Sequence, residues 1–66
     1  MSRFWLQVQA PAGNWADRLG SDKLSYVVEH GDYLRNQHGE RTRVVERFDI
    51  PVSVNGKQLR EVENAE

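Results

Sequence analysis

Three arginines, Arg41, Arg43 and Arg47, recur at odd positions within HGERTRVVERFDIPV, residues 38–52. On a strand, every second side chain points to the same face, so the spacing makes a basic stripe. Such a stripe can meet the phosphates of a nucleic acid, form part of a protein-contact surface, or be only the solvated side of a sheet paired with neighbouring acids. Enzymatic chemistry has less to work with. The chain has no cysteine, hence no thiolate nucleophile or thiolate metal ligand, and it has no glycine-rich phosphate loop of either common spacing. His30 and His38 are eight residues apart, two helical turns, whereas a helical metal site uses the i and i+4 pair. Asp32 lies close enough in sequence to meet a histidine, and Ser21 and Ser25 suit capping or surface positions. The expectation is a non-enzymatic chain with no catalytic, cofactor-binding or metal-binding residues.

Binding remains. Trp5 shares the polar parity of its segment, and Tyr26 and Tyr33, seven residues apart, fall on the side of a predicted helix opposite Leu24 and Val28. Trp, Tyr and Arg are the side chains most enriched in interface hot spots. The candidate partner-binding residues are therefore Trp5, Tyr26, Tyr33, Arg41, Arg43 and Arg47, and the first expectation is a protein-binding module. A small nucleic-acid-binding module is the alternative: the arginines would hold phosphates while Trp5 stacks a base on an open sheet. Against it, Glu40, Glu46 and Asp49 interrupt the stripe, and nine basic side chains against ten acidic ones leave a formal charge of -1. Polyanion attraction must then come from local clustering alone.

The elements that must carry these side chains belong to one small domain, because 66 residues hold a single thin core and no second one. Leu, Ile, Val and Phe supply about a quarter of the chain, above the roughly 20% typical of disordered charged sequences. Lack of cysteine fits a reducing, cytoplasmic setting. The opening MSRFWLQVQA has no leader pattern, and no run is long and apolar enough to span a bilayer.

RFWLQVQA alternates Phe4, Leu6, Val8 and Ala10 with Arg3, Trp5, Gln7 and Gln9, which predicts a half-buried strand. PAGN at 11–14 reverses the chain, and WADRL returns it with Trp15, Asp17 and Leu19 on one face. Leu24, Val27, Val28, Gly31 and Leu34 follow helical spacing, so a helix is expected over 22–38, capped by Ser21 or Asp22 and ended by Gly39. Gly31 falls within the apolar stripe, where it permits close approach to the sheet; a break at HGD is the rival. A long third strand follows, with Thr42, Val44, Phe48, Ile50, Val52 and Val54 on one parity, a bulge expected near 45 and 46, and Pro51 marking an edge. Asn55-Gly56 adds a hairpin signal. The prediction is an α+β domain over 1–60 with a three-stranded antiparallel ββαβ sheet, one face under one helix, an additional C-terminal hairpin, and an acidic tail at 61–66. Its core is Leu6, Val8, Leu24, Val27, Val28, Leu34, Val44 and Phe48. The exposed edge of the second strand leaves room for homodimerisation by strand pairing.

RFWLQV near the start and TRV at 42–44, separated by a hairpin signal and a helix, resemble the small inhibitor of bacterial RNA polymerase encoded by T7-like phages. The resemblance implies the same strand-strand-helix-strand order and a phage or mobile-element accessory protein that docks on a host protein. It also implies that Arg43 lies where the family's last-strand arginines contact the polymerase. Val45 stands where the family has a second arginine.

Overall fold

A computed structural model describes residues 2–46 and 50–59. The order of elements is β1 (Phe4–Gln9), β2 (Trp15–Ser21), α1 (Leu24–His38), β3 (Thr42–Glu46), β4 (Ile50–Val54) and β5 (Lys57–Gln58). They form one antiparallel sheet in the order β2-β1-β3-β4-β5, with α1 across one face. The first reversal uses Gly13 at φ 98°, and the Gly13 N–H donates to Ala10 O at 2.8 Å. Alternation in β1 sends Phe4 and Leu6 into full burial beneath the helix, with Val8 packed at the margin. Val27 and Leu34 of the helix, with Val44 and Val52 of the sheet, complete the buried cluster.

Helix α1 runs unbroken through HGD. A Cβ at Gly31 would sit 3.1 Å from the Leu6 side chain, so the missing side chain is what allows the helix to lie this close to β1. The helix stops at Gly39, whose φ of 65° is left-handed, and the Gly39 and Glu40 N–H groups donate back to Arg35 O and Leu34 O. The start departs from expectation. Lys23 occupies the N-cap position without a side-chain cap bond. Ser21 instead accepts from the Lys23 N–H at 3.1 Å, and Asp22 accepts from the Arg3 N–H at 2.8 Å, tying the start of β1 to the β2–α1 connection.

The sheet has five strands rather than three: the single long strand expected over 42–54 is two antiparallel strands, β3 and β4, and the expected C-terminal hairpin adds β5. Residues 47–49, including the expected core residue Phe48, lie outside the described residues. The Asn55-Gly56 signal holds: both residues have positive φ, 50° and 85°, as a type I′ turn requires, and β5 joins the same sheet. Pro51 sits where β4 has β3 on one side only, so its missing N–H breaks no ladder. Two register shifts matter. In β4 the shift opposite Val44 and Val45 leaves Val52 extra and buried. In β2 the shift opposite Leu6 and Gln7 leaves Arg18 extra. That second bulge corrects the predicted face of β2, since Leu19 pairs with Leu6 and packs on the core while Asp17 pairs with Gln7 on the opposite face.

Val28 is a second correction, because it is 36% exposed rather than buried. The helix packs on β1, β3 and β2, and toward β4 and β5 it leaves a groove of about 140 Å³ whose wall includes Leu24, Val28, Val44 and Val52.

Candidate protein-contact face

The sheet face away from the helix is built from the odd positions of β1 and their cross-strand partners. Trp5 lies directly between Gly20 of β2 and Val45 of β3, and Gln7 lies between Asp17 of β2 and Arg43 of β3. Gln9 pairs with Trp15. Arg41 continues the parity of Arg43 and is exposed, its carbonyl accepting from the Gln9 N–H at 3.0 Å.

Trp5 is 36% exposed, yet Val45 beside it is only 1% exposed. The indole leans toward β2. A Cβ at Gly20 would meet Trp5 ring atoms at 2.7 and 2.9 Å, so the ring lies over the glycine backbone, an aromatic covering a cross-strand glycine.

Gln7 is the centre of the other half of the face. Its amide nitrogen donates to Asp17 at 2.8 Å and its amide oxygen accepts from Arg43 Nε at 2.7 Å. The Arg43 guanidinium also lies 4.7 Å from the centroid of Trp15, a cation–π distance. Four side chains from three strands therefore form one connected group, and Gln7 at its centre is only 6% exposed although no helix covers this face.

The expected contact residues do not form one patch. Trp5, Arg41 and Arg43 share the uncovered sheet face, whereas Tyr26 and Tyr33 are exposed on the helix, which lies across the other face. Tyr33 stands between His30 and His38, with ring centroids 6.1 and 5.5 Å away. Arg47 lies outside the described residues. Gln7, Trp15 and Asp17 belong to the face and were not among the expected site residues. The signal for Gln7 was its shared parity with Trp5; the bulge hid how Asp17 lines up with it.

Two other arginines are paired with acids. Arg3 Nε bonds Glu46 at 2.8 Å with both side chains partly buried, and Arg35 pairs with Asp32 and donates to Thr42 Oγ1 at 2.8 Å. Among the described residues no three acidic or histidine side chains gather as a metal site, and no helix is long and apolar enough to cross a membrane. The chain matches no family model, no curated protein and no solved structure.

Proposed function

We propose that this chain is a small non-enzymatic protein-binding module whose helix-free sheet face makes the contact. The observation that carries the reading is the connected Trp15, Arg43, Gln7 and Asp17 group beside the half-exposed Trp5. Trp and Arg are held there in fixed positions on a rigid sheet, and prior ordering of such side chains lowers the entropy lost on binding. The partner is a host protein, and the chain an accessory protein of phage or mobile-element type, on the strength of the RFWLQV and TRV resemblance. Nucleic acid is the competing partner, favoured only by the outward Arg41 and Arg43.

Affinity capture from bacterial lysate, with and without nuclease, tests the proposal. Wild-type chain should retain a defined protein in both conditions, and an Arg41→Ala, Arg43→Ala variant of unchanged melting temperature should lose it. Retention by the variant removes the face from the contact; loss of all captured material on nuclease treatment transfers the role to nucleic acid.

A further inference from the structure

The chemistry of the Asp17, Gln7 and Arg43 group permits only one arrangement. A carboxylate only accepts hydrogen bonds and a guanidinium only donates them, while a glutamine amide does one at each end. Gln7 must therefore turn its nitrogen to Asp17 and its oxygen to Arg43, as it does at 2.8 and 2.7 Å. Asp17 and Arg43 are cross-strand partners of the same residue, so their backbones are two strand spacings apart, about 9–10 Å. A long arginine and an aspartate can close that gap directly, and a direct pair would be bidentate and use both prongs of the guanidinium. With Gln7 between them only Nε is engaged, and the described residues supply no acceptor for the two terminal nitrogens. Trp15 covers the guanidinium from one side, its ring centroid 4.7 Å from the guanidinium carbon.

We propose that Gln7 is a positioning residue: it holds the Arg43 guanidinium on Trp15 and keeps it from Asp17, so that the terminal N–H groups face a bound protein as an unneutralised cation. This rests on the sheet face being the contact surface. It adds that the availability of Arg43 is built by a neutral neighbour, and that removing this neighbour turns Asp17 from a support into a competitor.

The test needs no partner. Phenylglyoxal, which adds to accessible guanidinium nitrogens, is applied to the full chain and labelling is read at each arginine by mass spectrometry. Gln7→Met keeps the length of the side chain and removes both hydrogen bonds. Labelling of Arg43 should slow at least threefold in Gln7→Met, with Arg41 unchanged as the internal reference, and should recover when Asp17→Asn is added. The upfield shift that the Trp15 ring gives the Arg43 Nε–H in side-chain NMR should diminish in Gln7→Met. Should Gln7→Met fail to fold, Gln7→Glu replaces it: an acid beside Arg43 takes the guanidinium directly and should slow labelling likewise. An unchanged Arg43 labelling rate and Nε–H shift in a folded variant overturn the inference. Partner capture by Arg41→Ala, Arg43→Ala is scored separately, so failure of the contact reading is distinguishable from failure of the positioning role.

Discussion

The Trp5 ring covers Gly20, and about a third of the residue stays exposed. Gly20 is consequently a stronger probe of the packing than Trp5 itself. An alanine there would usually favour a strand, yet its Cβ meets the ring at 2.7 Å, so the indole must swing away from β2. Gly20→Ala should cost about 1–3 kcal/mol, the range for overpacking, and should shift tryptophan emission to longer wavelength. Equal stability with unchanged emission would place the ring elsewhere. That Trp5 faces away from the helix was legible from its parity with Arg3 and Gln7. That it rests on Gly20 was not, because the pairing depends on where β2 gains its extra residue, and nothing in WADRLGS marks Arg18 as that residue. Gln7 was illegible as a site residue for a related reason: its role exists only once Asp17 and Arg43 have arrived from the strands on either side.

At the scale of elements, helix α1 was read from its stripe, and Gly31 was read correctly as a point of close approach. Val27 and Val28 separate what the stripe could and could not say. Both fit helical spacing toward an apolar face, but Val27 is fully buried against the β1–β3 floor and Val28 looks into the groove beside β4. Val27→Ala should destabilise by about 1.5–3 kcal/mol, since it loses buried methyl groups and leaves a cavity. Val28→Ala should cost less than about 1 kcal/mol. Chemical denaturation of the two variants gives the comparison, and equal losses would mean that the groove is filled. The far side of the groove depends on a tie between Arg35 and the terminal hairpin. Arg35 donates to Thr42, Thr42 N–H donates to the Asn55 side chain, and a Cβ at Gly56 would meet the Arg35 guanidinium at 2.8 Å. Gly56→Ala thus combines an unfavourable φ of 85° with displacement of Arg35, for a loss of about 1–3 kcal/mol. Its signature is loosening of the helix C-terminal turn in hydrogen exchange as well as of the hairpin; protection lost in the hairpin alone would dissociate the two. The Asn55-Gly56 turn was plain in the sequence, but the division of 42–54 was not. Apart from Glu46 the even-numbered apolar row runs through both strands, and of the three residues between them, RFD, only Asp49 is of a type that favours a turn.

For the whole molecule, the outcome turns on how nine basic and ten acidic side chains are spent. A polyanion is held by cations that neutralise its phosphates and release counterions, so both affinity and its salt dependence scale with the number of such contacts. Two of the arginines are committed elsewhere, Arg3 to Glu46 and Arg35 to Asp32. On the sheet face Arg41 and Arg43 point outward with Asp17 close by, which leaves a small local excess on a chain of formal charge -1. Neutralising about two phosphates gives a slope of only about -1.4 in log affinity against log salt for a single strand. The expected result is binding to a generic single-stranded oligonucleotide that is weak at low salt and lost at physiological salt. Fluorescence anisotropy over a salt series measures this, with Arg43→Ala as the comparison. Tight binding at physiological salt with a steep slope, made shallower by about one phosphate's worth in Arg43→Ala, would show that the cations act together as a phosphate track. Trp5 and Trp15 would then be stacking platforms for bases, and the same face would be a nucleic-acid surface. A flat, weak salt series would instead mean that Arg41 and Arg43 do not act together on phosphates.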